Sequence, residues 1–460
     1  MSHYPNQQWI KPWSRRDFLK AAGLGTLAVA AGCAKNPVTG ESQIMLMSEA
    51  EEIQVDRKQS PHQFSADYGA VQDTALNQYI TDVGTGLASK SHRPDMPYSF
   101  RCLNATYVNA YAFPGGSIGA TRSIMLELDN EAELAGLLGH EIGHVNARHT
   151  ASRMSKAAMV SMVAGVGVAA VGIASRELAP LAAGLGSIGA GALLAHYSRD
   201  DERQADSLGM EYMTRAEYNP DGMVGLMDML NEQHDQKPSA VQMMFATHPM
   251  SSERLATARQ SVTTKYASSS EYLVYRERYM DNTASLRKIK PAIDSMQEGE
   301  KCMGQQKFGD AETSFEKALK AAPTDYAGLL MMAKCQLAQN RPEKAQPYTD
   351  KAKAVYPTEP QARQLAGLVQ LREKKYEAAL ADLNVYEQSL PGNPLTIFLK
   401  GLSQEGMSHF DQAAREYYRF LQQVNQGNEA KYAYGRLVQW GYIKSASKYP
   451  VPDPFAGPYC

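Results

Sequence analysis

Apolar residues return every three or four positions through much of this chain, and the stripes predict where helices pack. Leu76, Tyr79, Ile80, Val83 and Leu87 mark one helix over about 70–88. Leu134, Leu137, Leu138, Ile142 and Val145 mark another, with Asn130 as N-cap and Glu133 as its reciprocal partner. Between them the pattern shortens. Tyr98 to Phe100, Ala105 to Phe113 and Ser117 to Thr121 carry aromatic and β-branched residues punctuated by Pro114-Gly115-Gly116, which predicts short strands in a small antiparallel sheet. An extended peptide pairs with an exposed sheet edge, so Asn109, Ala110 and Tyr111 are candidate substrate-binding positions.

Two uncharged runs, Ala157 to Ser175 and Leu178 to Tyr197, approach the ~20 apolar residues that cross a bilayer. Both are rich in Gly, Ala and Ser, which makes transfer into lipid marginal. The preferred reading is a helical hairpin or lid over the site or against the membrane, with two crossings as the alternative.

Further on, the pattern repeats every 34 residues. Gly299, Ala333, Gly367 and Gly401 share one column, Ala311, Ala345, Ala379 and Ala413 a second, and Pro323, Pro357 and Pro391 a third. Small residues where paired helices approach, an aromatic before the second helix and a closing proline describe tetratricopeptide repeats. Four repeats over 292–427 and a capping helix to about Tyr442 follow, and such an array offers a concave surface for a protein partner. Because each repeat contacts mainly its neighbours, the array is expected to be separable from what precedes it.

The fold expected is therefore α+β and mainly helical: a first domain with a small antiparallel sheet, then an α-solenoid. Its divisions are a leader at 1–32, a tether at 33–60, the first domain at 61–265 with the apolar hairpin or lid at 157–197, a linker at 266–291, the repeats and cap at 292–442, and a proline-rich tail at 443–460.

Composition narrows the function. At 460 residues, 43% hydrophobic and 21% charged, with a net charge of −2, the chain has room for several cores and no basic stripe for nucleic acid. Ser14-Arg15-Arg16-Asp17-Phe18-Leu19-Lys20 ahead of a weakly apolar run resembles a twin-arginine export signal, and Ala30-Ala31-Gly32-Cys33 resembles a lipobox. Cys33 is then the lipidation site, giving a periplasmic protein tethered to the outer membrane. Cys102, Cys302, Cys335 and Cys460 allow three full disulfide pairings, and spacing selects none.

The chemistry lies in His140-Glu141-Ile142-Gly143-His144. Residues four apart share a helix face, so His140 and His144 present two imidazoles to one Zn²⁺ per chain, with Glu141 beside them as general base. His149 falls about 140° further round the helix from His144, off that face. A catalytic zinc needs a third protein ligand, which Glu202 supplies from a second helix, while Asp206 one turn later orients a ligand imidazole.

Together with Asn109 to Gly116 and with Thr247-His248-Pro249 and Arg254, these residues resemble the HtpX and CaaX-prenyl-protease family of zinc metallopeptidases. The resemblance implies that residues 61–265 form a minimal zinc metallopeptidase domain of the gluzincin type, with zinc bound by His140, His144 and Glu202 and water activated by Glu141. It also implies that His248 lies on a loop that reaches the metal. His248 is read as a displaceable fourth ligand and Arg254 as a stabiliser of the developing oxyanion. The family's soluble periplasmic branch adds a helical repeat domain but generally uses an ordinary secretion signal, so this chain departs from it at the leader. The function expected is an envelope zinc endopeptidase in quality control or assembly of outer-membrane proteins, its repeats recruiting protein partners. The alternative is a chaperone-like assembly factor whose zinc site is latent.

Overall fold

The computed structural model describes residues 33–164, 197–236 and 238–443. The leader expected at 1–32, most of the apolar hairpin expected at 157–197 and the tail from 444 lie outside the described residues. Among those described, no helix is long and apolar enough to cross a membrane.

Strands β1 (Cys33–Lys35) and β2 (Ser42–Ile44) form an antiparallel hairpin and lead into α1 (Glu49–Ala66). This corrects the tether expected at 33–60. The carboxylate of Glu52 is buried and accepts from Arg93 Nη2 and Arg148 Nε, each at 2.8 Å. Charge-assisted hydrogen bonds inside the protein fix α1 instead of leaving it loose.

Helix α2 (Thr74–Ala88) buries its predicted stripe. The sheet that follows contains β3 (Ser99–Leu103), β4 (Ala110–Ala112) and β5 (Ser117–Thr121) in the order β3-β5-β4. It is mixed where an antiparallel sheet was expected: β4 opposes β5, but β3 runs parallel to it. The reason is the connection. The tight turn closed by Gly116 N–H to Phe113 C=O makes β4 and β5 antiparallel, and β3 takes the far side of β5 by a crossover instead of a hairpin.

A short helix α3 (Arg122–Glu127) precedes α4 (Glu131–Asn146), every residue of which is buried. Asn130 caps α4 by accepting from Glu133 N–H at 3.0 Å; the Glu133 carboxylate returns to Asp129 N–H, one residue ahead of the cap. Next come α5 (His149–Ala164), α6 (Arg199–Arg215), α7 (Asp221–Gln236), α8 (Pro238–Thr247) and α9 (Ser252–Thr263). Helices α4 and α6 touch backbone to backbone. A Cβ on Gly139 would lie 3.0 Å from Gly209 O, and one on Gly143 3.0 Å from Ala205 O. That closeness lets side chains of the two helices converge on a single point.

The linker expected at 266–291 is also part of the core. Helices α10 (Arg276–Asn282) and α11 (Ala284–Lys288) bury Tyr279 and Leu286, and Tyr279 OH donates to Met125 O at 2.6 Å. Four helix pairs then stack: α12 (Lys290–Gly304) with α13 (Phe308–Ala321), α14 (Tyr326–Ala338) with α15 (Pro342–Val355), α16 (Gln361–Arg372) with α17 (Tyr376–Ser389), and α18 (Pro394–Gly406) with α19 (Phe410–Leu421). Helix α20 (Asn428–Gln439) closes the stack. Gly299, Gly367 and Gly401 lie flush against Phe315, Leu383 and Tyr417, where a Cβ would come within 2.4–2.6 Å. Residues 306, 340, 374 and 408, one per repeat, all turn through positive φ.

The array also packs against the domain before it, beyond the neighbour-only contacts expected of such repeats. Arg122 Nη1 pairs with Asp325 Oδ2 at 2.5 Å, both side chains buried, and Thr106 and Ser65 hydrogen-bond Glu300 and Glu359. Tyr68, from the domain before the repeats, belongs to the same buried apolar cluster as Ala292 and Met296 of the first repeat. A neighbour-only solenoid would not hold charged pairs against another domain's core.

Candidate metal centre

Helix α4 carries His140, Glu141 and His144, α6 carries Glu202 and Asp206, and His248 follows the last turn of α8 with its N–H on Met244 O at 2.7 Å. Donor atoms of His140, His144, Glu202 and His248 all lie within 4.8 Å of one another, and all four residues are buried.

Proton positions follow from the outer partners. His140 Nδ1 lies 3.0 Å from Asp206 Oδ1, so Nδ1 carries the proton and Nε2 the lone pair. His149 Nε2 donates to Gln204 Oε1 at 2.9 Å, which leaves its Nδ1 to accept from His144 Nδ1, also at 2.9 Å. His144 Nε2 is therefore a lone pair too. The two Nε2 atoms face each other at 3.0 Å, and Glu202 oxygens sit 3.6 Å and 3.4 Å from them. Lone pairs so close repel unless a cation lies between them. The spacing matches the ~3.3 Å edge expected of a tetrahedron with zinc–ligand bonds of about 2.0–2.1 Å. The donors thus fit a zinc ion.

Burial pushes Glu202 up, and His248 and His144 more than reverse it, leaving the carboxyl well below its usual range. Burial drives the His144 imidazole well below its ordinary value, which keeps a neutral donor. Burial also raises Glu141, partly offset by His248 and His140. Neither Glu141 oxygen has a hydrogen-bond partner among the described residues, and His248 Nε2 lies 3.7 Å from Oε1. A buried carboxylate with both oxygens free is placed to take a proton.

Arg254, expected to face an oxyanion, is committed elsewhere. Its Nε and Nη2 fork onto Asp206 at 2.6 and 2.7 Å, Nη1 lies 2.6 Å from Glu202 Oε2, and Nη1 also donates to Pro249 O at 2.9 Å. With two carboxylates and a carbonyl on one buried guanidinium, it holds Asp206 and Glu202 in place relative to each other.

Asn109, Ala110 and Tyr111 lie at the edge of the sheet. Thr121 N–H bonds Asn109 O and Phe113 N–H bonds Ser117 O, so the in-phase residues face β5, and the backbone groups of Ala110 and Ala112 point to the open edge. The ring of Tyr111 points away and bonds Asp67.

Two residues escaped the sequence reading. His149, set aside by helix arithmetic, reaches His144 because α4 ends at Asn146 and Arg148 turns the chain through φ 59°. Tyr197 stacks on His144 with centroids 3.7 Å apart, and Arg153 covers its other side at 4.2 Å. Only its position next to the capping Ser198 of α6 could have hinted at this.

Residues 74–262 match peptidase family M48, and residues 303–369 match a tetratricopeptide repeat family. The chain thus carries an M48 peptidase domain followed by tetratricopeptide repeats. It is 30% identical over 229 residues to a beta-barrel assembly-enhancing protease of Yersinia pestis, covering 47% of this chain and 46% of that one. It is likewise 30% identical over 166 residues to metalloprotease YcaL of Escherichia coli (strain K12), covering 36% and 63%. The chain spans less than half the length of the first of these relatives. Among solved structures, the TPR protein YrrB aligns with 45% of this chain and 97% of its own at 16% identity and a TM-score of 0.30.

Proposed function

We propose that this chain is a zinc metalloendopeptidase of the bacterial envelope, acting on outer-membrane or periplasmic proteins during their assembly or quality control. One observation carries the reading: a buried set of His140, His144 and Glu202 beside a Glu141 carboxylate with both oxygens unengaged. A purely structural site has no use for that carboxylate.

Zinc held by these donors would polarise the scissile carbonyl and make water a nucleophile near neutral pH. Glu141 takes the proton from the attacking water and passes it to the leaving amine; burial, which raises its carboxyl, brings it nearer the pH at which both transfers run. The open edge of β4 pairs with the substrate backbone and holds it extended. Asp206 and His149 fix the tautomers of the two imidazoles, and Arg254 locks Asp206 and Glu202 together.

His248 is the reason to keep a second reading. Its Nδ1 lies 3.1 Å from Glu202 Oε1 and 3.3 Å from His140 Nε2, inside the donor set, where it occupies the place substrate would need. We read it as a displaceable fourth ligand that holds the site latent until substrate arrives. Anchoring to the outer membrane through lipidated Cys33, and recruitment of envelope proteins by the repeats, belong to the same proposal. The test is cleavage of an unfolded outer-membrane protein by the purified chain. Activity should vanish with a chelator and return with zinc, and His248→Ala should raise it without loss of metal. Chelator-insensitive cleavage would exclude the metal mechanism. A decline in His248→Ala at constant metal would make His248 a transition-state donor instead of a plug.

A further inference from the structure

Peptidase and repeats meet at a five-residue turn. Helix α1 runs out through Ser65-Ala66-Asp67-Tyr68-Gly69, where Tyr68 and Gly69 adopt φ of 65° and 72°. On one side the turn grips the array. Ser65 donates to Glu359 just ahead of α16, and Lys334 of α14 donates to Tyr68 OH at 3.2 Å with its ammonium 4.8 Å from the ring centroid. On the other side it grips the sheet. Asp67 accepts from Tyr111 OH at 2.5 Å, Tyr107 OH at 2.8 Å and Gln63 Nε2 at 3.0 Å, and Phe64 stacks on Tyr111 with centroids 6.2 Å apart.

Strand β4 needs such a hold. It is three residues long and pairs with a strand on one side only, so little of its position is set by sheet hydrogen bonds. The side chain of its middle residue, Tyr111, ties it to Asp67, which is buried and accepts three hydrogen bonds. Burial pushes the Asp67 carboxyl up while its three donors hold it back.

From this juxtaposition we infer that Asp67 is a positioning residue for the edge strand, and that the turn 65–69 transmits the docking of the repeat array to the backbone that would pair with substrate. The inference rests on the peptidase reading above for its functional meaning. A protein partner that grips the first helices of the second and third repeats, and competes for Lys334 or Glu359, would then alter substrate capture and leave the chemistry at Glu141 unchanged.

The test uses the full chain loaded with zinc, comparing wild type with Asp67→Asn, Tyr111→Phe and Lys334→Met. Tyr111→Phe keeps the ring and removes one hydrogen bond, so it stays informative if Asp67→Asn folds poorly. Backbone hydrogen exchange over residues 107–113 should speed up by about tenfold in all three, as for loss of one buried hydrogen bond, while exchange in α4 stays at the wild-type rate. KM for an extended peptide should rise by a similar factor at constant kcat and zinc content. If Lys334→Met speeds exchange in 326–338 alone, or if kcat falls with KM fixed, the coupling is wrong. Exchange is read without substrate, so a wild-type chain that cleaves nothing would defeat the peptidase reading and still leave the coupling decided.

Discussion

Two clusters of buried polar side chains organise this molecule, and they are built on opposite principles. At the metal centre, His140, His144, Glu202 and His248 crowd lone pairs and carboxylate oxygens together in an arrangement that makes sense only around a cation. At the junction with the repeats, Asp67, Glu300, Glu359 and the Arg122–Asp325 pair are satisfied within the protein by tyrosines, hydroxyls and opposite charges. The first cluster is incomplete without a ligand, whereas in the second every carboxylate finds a partner within the protein and only Arg122 Nε is left unpaired among the described residues. Breaking the first should cost metal and leave the fold, whereas breaking the second should cost stability and leave the metal ligands in place.

The largest effect expected lies in the first cluster. If roughly 10–16 kcal/mol of zinc affinity is shared by three or four donors, His144→Ala should lose about 3–5 kcal/mol of it, with the circular dichroism of the metal-free chain unchanged. Metal analysis after gel filtration checks this. Next comes the junction. Arg122→Met strands the Asp325 carboxylate, whose side chain is 5% exposed, and should cost about 4 kcal/mol in denaturant unfolding while zinc binding to the folded protein persists. Two separate unfolding transitions in the wild type would show that the two halves are not one cooperative unit, against this account.

Acidity sharpens the contrast further. Burial pushes Glu359 up to about 7 from an ordinary 4.5, with Ser65, Tyr326 and the Gln361 N–H acting against it. The folded chain therefore holds that proton to higher pH than the unfolded chain. Stability is full below about 4.5, declines as pH rises through about 7, and then levels off, a change of about 3 kcal/mol from this group. Asp67 and Glu300 are raised by burial as well and act in the same direction. Thermal unfolding between pH 5 and pH 8 should show the decline, and Glu359→Gln should flatten part of it. The smallest effect concerns His149. As the outer partner of a ligand imidazole, its replacement by Ala should weaken zinc about 10- to 100-fold, near 2 kcal/mol, measured by competition with a chromogenic chelator.

The same contrast explains what could be read from the residues. A metal site demands particular residue types at fixed helical spacing, so His140, Glu141 and His144 stand out, and Glu202 with Asp206 one turn later can be matched to them. The repeats are legible because Gly299, Gly367 and Gly401 each face a bulky side chain at a fixed distance along the chain. Nothing comparable marks the junction. Asp67, Glu300 and Glu359 look like ordinary charged residues of solvated helices, and only the fold shows that Glu300 and Glu359 bond Thr106 and Ser65 across it while Asp67 bonds Tyr107 and Tyr111 beside it. Residues 33–60 and 266–291 looked like connections for the same reason: their anchors, Glu52 and Tyr279, find partners 41 to 154 positions away. Helical arithmetic takes His149 off the donor face but could not show it as an outer partner of His144, because the helix ends before reaching it and a left-handed residue turns the chain back onto that imidazole.

The central claim is that the first cluster is a catalytic zinc site with Glu141 as its base. It is tested most directly by comparing wild type and Glu141→Gln at equal, measured zinc content on an unfolded outer-membrane protein. The account predicts one zinc per chain in both and a loss of about 10²–10⁴-fold in cleavage rate for the variant. A Glu141→Gln chain that cleaves at the wild-type rate with its zinc in place would contradict it.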